Sequence, residues 1–258
     1  MRVAFITCPR TGADYLKGAI DSCLEMGSGV KIADIGVFSE SLEPPVGVPE
    51  GAYVECRSAE YMAKMPQVHS FAEKDWRGKN ACARCISTGR NAVRASRWAA
   101  QDGQYGCVVE DDVVFAKNWD GRAIEMAGIA KGLAPEFAMT LLQFYQRDHF
   151  PKGVKAGPFE LVKWRDPFHY WGSQGIVYEA SAARKIGDWR EKQCNEAEGK
   201  GWDHEACCNG DQGLKFALLS LKLPLYSMWP NVIKHVGAVS AWANWEKMFD
   251  TDNFWKGD

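Results

Sequence analysis

The sequence predicts an α/β protein in which a mixed, mostly parallel central sheet is flanked by helices. The chain opens with an apolar run at 2–7, a stretch of helical spacing at 14–26 and a second apolar run at 30–38. This strand–helix–strand order is typical of parallel, helix-covered sheets. Strand-like and helix-like segments then continue to alternate. Apolar residues make up 46% of the 258 residues, which is enough for the core of one large domain.

The first half of the chain contains turn signals between its predicted elements. The first strand breaks at a turn over 8–12, and no G-x-G-x-x-G pattern follows it, which disfavours a dinucleotide-binding loop. Gly27 and Gly29 stop the first helix. The further elements expected here are a short strand at 52–56, a short helix at 58–67 and a long helix at 81–101.

The second half alternates in the same way. The expected elements are a helix at 119–130, a strand at 138–145, a polar loop at 146–157, a strand at 159–164, a helix at 179–186, a helix at 211–220 and a strand at 223–229. The stretch 188–209 is polar and low in apolar periodicity, so no element is expected there.

The feature that organises the chain is an acidic triplet between two apolar runs. Residues 107–109 lead into Glu110, Asp111 and Asp112, and residues 113–115 are apolar again. Adjacent carboxylates at the end of a buried strand repel one another and are costly to desolvate. Oxygen ligands suit Mg²⁺ or Mn²⁺, so a divalent cation would explain them. An acidic surface turn between two strands is the alternative.

Composition limits the functional classes. The net charge of −2 argues against a strong polyanion-binding surface, and no apolar run is long enough to span a membrane, so we expect a cytoplasmic protein. The nine cysteines indicate reduced thiols; a structural zinc site at Cys82-x-x-Cys85 would need a second pair, for which Cys207-Cys208 is a loose candidate. The helix at 81–101 carries Arg90, Arg94 and Arg97 on one face, either solvated or in contact with phosphates.

Three motifs, in this order, resemble those of the GT-A glycosyltransferases over roughly residues 1–240. The run at 107–115 resembles the family's acidic motif at a strand end, with Glu-Asp-Asp in place of a strict D-x-D. Residues 210–217 resemble the helix that delivers an acid to the acceptor side, and 230–240 resembles a histidine-containing segment farther along. The resemblance implies a single GT-A (Rossmann-like) domain over 1–258. Its nucleotide-sugar-binding half would be 1–115 and its acceptor-binding half 116–258.

The resemblance also implies an activity and a site. A sugar would pass from a nucleotide diphosphate donor, most simply a UDP-sugar, to an acceptor hydroxyl, with Mn²⁺ or Mg²⁺ on the diphosphate. The expected metal ligands are Asp112, Glu110 and His235, whose nitrogen favours Mn²⁺; His235 as an ordinary strand-end histidine is the alternative. Asp111 would instead bind the donor ribose or sugar. The other expected donor contacts are Thr7, Pro9, Arg10 and Thr11 after the first strand, Lys79 and Arg84 at the diphosphate, and Gly172, Ser173 and Gln174 beside the sugar.

The acceptor hydroxyl must lose a proton as it attacks, and Asp211 is the expected base. Direct displacement with inversion would follow. A simple N-cap is the alternative for Asp211, and Asp203 and Glu205 are the reserve candidates. The acceptor could be a glycan, a protein side chain or a modified nucleobase; for the nucleobase, the arginine face would be the contact.

Two other functional classes fit parts of the pattern. A nucleotidyltransferase that makes nucleotide sugars uses a related sheet, but residues 8–12 match its glycine-rich loop poorly. A non-catalytic carbohydrate-binding protein could use a surface rich in tryptophan, of which the chain has eleven.

Overall fold

The structure is a computed structural model. It describes residues 1–7, 15–65, 81–142, 151–165, 175–200, 210–236 and 254–255. Within the helices, the side chains of residues 81–85 and 210–212 are not described.

Eleven strands are formed by the described residues. They are β1 Arg2–Thr7, β2 Ile35–Ser39, β3 Tyr53–Glu55, β4 Tyr105–Glu110, β5 Val113–Phe115, β6 Ala138–Thr140, β7 Val154–Ala156, β8 Phe159–Lys163, β9 Gly175–Glu179, β10 Leu225–Trp229 and β11 Ile233–His235. The helices are α1 Leu16–Met26, α2 Ala59–Lys64, α3 Ala81–Ala99, α4 Trp119–Leu133, α5 Ala180–Gly199 and α6 Gly210–Leu221, with a 3₁₀ turn at Ile32–Asp34.

Nine strands form one sheet in the order β3-β2-β1-β4-β9-β6-β10-β8-β7. Strands β3, β2, β1 and β4 are neighbours in that order, and each pair is parallel. Strands β6 and β10 are also parallel to each other. Strand β9 is antiparallel to both of its neighbours, β4 and β6, so β4 and β6 share one direction. Strand β8 is antiparallel to both β10 and β7, so β7 also runs in that direction. Seven of the nine strands therefore share one direction, which confirms the predicted mixed, mostly parallel sheet. Strands β5 and β11 form a separate antiparallel ribbon.

Both faces of the sheet are covered, because successive side chains of a strand point to opposite faces. In β1, Val3 and Phe5 pack with residues of α1 and α4, whereas Ala4 packs with residues of α3, α5 and α6. The result is three layers, helix on sheet on helix. In such sheets, ligands bind at the carboxyl ends of the strands.

Four segments differ from the sequence prediction. Helix α5 continues to Gly199, through a stretch for which no element was expected. Its buried positions Ile186, Arg190, Cys194 and Ala197 follow helical spacing, and the arginine among them hides the apolar pattern. Strand β7 lies within the predicted polar loop, and β2 begins at Ile35, after the 3₁₀ turn. Strand β6 ends at Thr140, and residues 143–145 of the predicted strand lie outside the described residues.

Candidate active site

The carboxyl ends of β1 and β4 lie side by side and bring polar side chains together. The two strands are parallel neighbours, with Ile6 opposite Glu110. The Thr7 hydroxyl donates a hydrogen bond of 2.5 Å to Asp111 Oδ2, and both side chains are buried. Glu110 is half-buried at the last position of β4. Two residues predicted to contact the donor, Thr7 and Asp111, are thus in direct contact with each other.

The third acid of the triplet faces another part of the chain. Asp112 Oδ2 lies 3.1 Å from His235 Nε2, although the two residues are 123 positions apart in sequence. The β5–β11 ribbon creates this contact, because His235 pairs with Val113 and the Val236 N–H donates to the Asp112 carbonyl at 2.8 Å. The carboxylate of Asp112 is only 4% exposed and the imidazole 9%. The fold therefore joins two of the three predicted metal ligands in a largely buried pair.

The distance between these two atoms suits a shared cation. In an octahedral site with bonds of about 2.1 Å, neighbouring ligand atoms lie about 3.0 Å apart. The same distance also suits a hydrogen bond between imidazole and carboxylate. Among the described residues, no group of three or more His, Cys, Asp or Glu side chains is arranged to hold a metal ion by itself. A cation at this pair would need further ligands from a bound substrate or water.

Strand β2 contributes polar groups that sequence analysis missed. Ser39, its last residue, pairs with Thr7. The next residue, Glu40, donates its N–H to the Thr7 carbonyl at 3.1 Å and accepts 2.7 Å from the Thr88 hydroxyl of α3. A polar residue directly after a parallel strand was the signal that could have identified Glu40.

A buried arginine lies beside this edge. The Arg57 N–H donates to the Ser41 carbonyl at 2.9 Å, and the guanidinium donates to the Ser87 carbonyl of α3. The guanidinium also stacks over the Tyr61 ring, 4.8 Å from its centroid. Burial, with a further contribution from the nearby Arg94, lowers the pKa of Arg57 to about 10. The side chain is still charged at neutral pH, so it adds positive potential beside Glu40.

Helices α3 and α6 both begin toward the same edge. Each helix leads through a short connection into a strand of the common direction: residues 100–104 connect α3 to β4, and 222–224 connect α6 to β10. Such a helix runs opposite to its strand, so it begins near the edge where the strands end. Contacts of Thr88 and Asn91 with the end of β2 place the first half of α3 at this edge. The backbones of Arg84 and Asp211 belong to these first turns, whereas their side chains lie outside the described residues.

The remaining predicted site residues fall in segments that are not described. They are Pro9, Arg10, Thr11, Lys79, Gly172, Ser173 and Gln174, together with the reserve bases Asp203 and Glu205.

The predicted arginine face is an ion-pair interface, which corrects both interpretations of it: the side chains of Arg90, Arg94 and Arg97 are 18%, 25% and 37% exposed and bond carboxylates. Arg90 forms two hydrogen bonds of 2.9 Å with the Glu198 carboxylate. The other two arginines also bond carboxylates: Arg94 to Glu55 at 2.6 Å, and Arg97 to Asp188 and Glu191 at 2.6 and 2.8 Å. This ion-pair interface mainly joins α3 to α5, and it removes the support for a DNA contact at this face.

Tryptophans and cysteines of the described residues serve the core more than a surface. Trp119, Trp164 and Trp229 are at most 6% exposed. The thiols of Cys23 and Cys107 are free and buried, and burial raises their pKa well above the usual value. The side chains of Cys82 and Cys85 are not described. No helix within the described ranges is long and apolar enough to cross a membrane.

Comparisons with known proteins give little beyond the fold. No family model matches the sequence, and no curated protein matches it. Among solved structures, the chain is similar to an active-site mutant of LgtC, a GT-A glycosyltransferase, with a TM-score of 0.42 and 12% sequence identity. The match covers 84% of this chain and 70% of the LgtC chain. A likeness of this size supports no conclusion about this chain, so the function proposed below rests on the side chains described above.

Proposed function

We propose that this chain is a metal-dependent glycosyltransferase that moves a sugar from a nucleotide diphosphate donor, most simply a UDP-sugar, to an acceptor hydroxyl. The observation that supports it is the contact between Asp112 and His235 at the carboxyl end of β4. That contact lies next to the buried Thr7–Asp111 pair. A buried acidic cluster at a strand end that also receives an imidazole fits a cation site better than a surface turn.

The pair fits Mn²⁺ or Mg²⁺ that arrives with its substrate. Such ions are commonly held by one or two carboxylates plus substrate phosphates and water, rather than by a complete protein cage. The imidazole of His235 favours Mn²⁺. Asp112 and His235 would supply protein ligands, with Glu110 as a third. When bound, the cation would stabilise the charge that develops on the leaving diphosphate.

The donor would lie along the ends of β1, β2 and β4. Thr7 holds the Asp111 carboxylate in place by a 2.5 Å hydrogen bond, which would orient it toward a ribose or sugar hydroxyl of the donor. Glu40, fixed by Thr88, borders the same edge and offers a second acceptor. Arg84 would face the diphosphate from the first turns of α3.

Asp211 is the proposed base, since α6 begins toward the same edge of the sheet. A carboxylate there would accept the proton of the acceptor hydroxyl as the hydroxyl attacks the sugar carbon and the diphosphate departs. Attack from the side opposite the leaving group gives inversion. The acceptor would be a glycan, a protein side chain or a modified nucleobase.

A thermal-shift screen of UDP, GDP, CDP and ADP, each with and without Mn²⁺, tests the proposal. A ligand at 100 times its Kd stabilises by about 2.7 kcal/mol, which is about 5–10 °C for a chain of this size. We expect one diphosphate to give such a shift with Mn²⁺ and a much smaller one without it. No response to any diphosphate would overturn the proposal. Stabilisation by glycan alone would indicate a binding protein, and pyrophosphate release from a nucleoside triphosphate would indicate a nucleotidyltransferase.

A further inference from the structure

A short segment near residue 255 packs against the chain just before β11. Phe254 forms a parallel bridge with Asn231, and the Trp255 N–H donates to the Asn231 carbonyl at 2.8 Å. The Trp255 ring lies 5.1 Å from that of Phe159 in β8, at an interplanar angle of 52°. Both residues of this segment are half-buried against the core. We name Phe254 and Trp255 the 254–255 clip.

The residues that the clip contacts lead directly to His235. Asn231 is 2% exposed and is followed by Val232, which is fully buried. Val232 donates its N–H to the Leu141 carbonyl at 3.2 Å and accepts 2.8 Å from the Ala116 N–H. Strand β11 begins at the next residue and ends at His235. The clip therefore contacts Asn231, and residues 231–235 lead from that contact directly to His235, the candidate metal ligand.

Strand β11 depends on such anchors because it is short. It has three residues and pairs with β5 in a two-stranded ribbon outside the large sheet. A two-stranded pair alone is marginally stable in water. The position of His235 therefore depends on how firmly the residues before β11 are held.

We propose that the 254–255 clip is a positioning element for the Asp112–His235 pair. By fixing Asn231 against Phe159, it holds β11 in register with β5 and keeps the His235 imidazole within ligand distance of Asp112. This role rests on the proposed function, because it assumes that the pair binds a cation. Groups that orient metal ligands typically change metal affinity by about 10- to 100-fold when they are lost.

The test compares Trp255→Ala with Trp189→Ala. Trp189 is also a half-buried tryptophan packed on the core, but it belongs to α5 on the other face of the sheet. Each full-length variant is assayed for its Mn²⁺ dissociation constant by the electron paramagnetic resonance of free Mn²⁺, and for its urea unfolding midpoint. We expect both substitutions to lower the midpoint, but only Trp255→Ala to weaken Mn²⁺ binding, by about 10-fold or more. Trp255→Phe, which keeps an aromatic ring against Phe159, should restore most of the affinity.

The outcomes separate the clip from the proposed function. Unchanged Mn²⁺ affinity in Trp255→Ala, with the wild-type protein binding Mn²⁺, would overturn the clip alone. Equal weakening in Trp189→Ala would also overturn it, since general destabilisation would then be the cause. Absence of Mn²⁺ binding by the wild-type protein, both alone and with each nucleoside diphosphate of the thermal-shift screen, would overturn the proposed function and the clip with it. If Trp255→Ala does not fold, Phe159→Leu loosens the same ring contact from β8 and is judged by the same criteria.

Discussion

Two regions of this molecule join acids to bases across long stretches of sequence, and they differ in how the charges balance. In the ion-pair interface, Arg90, Arg94 and Arg97 of α3 each bond carboxylates, and many of these groups keep contact with water. The side chains of Arg97 and Asp188, for example, are 37% and 71% exposed. At the carboxyl end of β4, two consecutive carboxylates, Asp111 and Asp112, are each at most 4% exposed.

We interpret this difference as the one between a structural contact and the proposed functional site. Balanced, partly exposed ion pairs contribute little net energy, and they need no ligand to complete them. Buried acids of the same charge side by side are unfavourable by themselves, and the cation that we propose at this edge would offset that repulsion. In the proposed site, Asp112 and His235 would both bind that cation. The predictions below test whether the two regions differ in this way.

The largest expected effect is at Asp112. Asp112→Asn keeps the size of the side chain but removes the anion, so we expect Mn²⁺-dependent stabilisation by nucleotide diphosphate to disappear. Turnover should fall by about 1,000-fold, which corresponds to about 4 kcal/mol of transition-state stabilisation. Stability without ligand should change little, since the substitution also removes like-charge repulsion. Asp188→Asn is the matched control in the ion-pair interface and should leave both readouts unchanged. Full turnover by Asp112→Asn, or by protein treated with EDTA, would contradict the metal role.

The second prediction tests how β11 is seated on the sheet. A Cβ atom at Gly175 would lie 2.1 Å from Cδ1 of Ile233, which is fully buried in β11. Gly175→Ala should therefore displace β11, at a cost of about 1–3 kcal/mol in unfolding free energy, and weaken Mn²⁺ binding as His235 moves. Gly128→Ala in α4 is the control, because a Cβ there meets nothing within 4 Å. It should leave Mn²⁺ affinity unchanged and raise stability by up to about 1 kcal/mol. A stable Gly175→Ala protein with normal Mn²⁺ affinity would contradict this prediction, because it would show that the added methyl group does not displace β11.

Much of the fold could be predicted from sequence because periodicity is a local signal. The strand–helix–strand opening, the long α3 and the strand before the acidic triplet were all expected, with boundaries within a few residues. Helix α5 beyond Ile186 was missed because its stability comes from another helix. Its charged residues bond the arginines of α3, and a single sequence does not show which distant charges pair.

The site was predictable in residue type, and the family resemblance also placed Asp112 and His235 together, as the structure does; the strand pairing that joins them was not predicted. The acidic triplet stands out because three consecutive acids between apolar runs are chemically unusual. The β5–β11 ribbon could not be predicted, because each strand has three residues and their pairing spans more than a hundred positions. Glu40 was missed because one acid after a strand resembles any loop residue until the neighbouring strand end is known.

A smaller effect is expected where the ion-pair interface is best formed. Arg90 makes a two-pronged contact with Glu198 and a further hydrogen bond of 2.5 Å to the Asn195 side chain. Arg90→Met should lower the unfolding free energy by about 1–2 kcal/mol, because these are charge-assisted bonds between partly buried groups. Mn²⁺ affinity should not change. Lys192→Met is the control, since Lys192 lies 3.9 Å from Glu196 and both side chains are well exposed. Its effect should stay within about 0.5 kcal/mol in urea unfolding. A loss of Mn²⁺ binding in Arg90→Met would mean that the interface and the site are coupled.

The smallest expected effect is the pH dependence of the ion pair between Glu191 and Arg97, at the more exposed end of the same interface. The hydrogen bond from Arg97 lowers the pKa of Glu191 below its ordinary value, despite an opposing contribution from burial. The ionised carboxylate therefore stabilises the native state above the unfolded pKa of about 4.3. That stabilisation is lost as pH falls through the lower folded value. Glu191→Gln should be less stable than wild type at pH 7 by less than about 1 kcal/mol, because the pair is 37% and 40% exposed. The gap should close toward pH 3 and shrink in high salt, and urea unfolding from pH 3 to 7 measures both. A gap that is constant with pH would mean that packing, not charge, sets the contribution of Glu191, and the contrast with the buried acids at β4 would then lose its electrostatic basis.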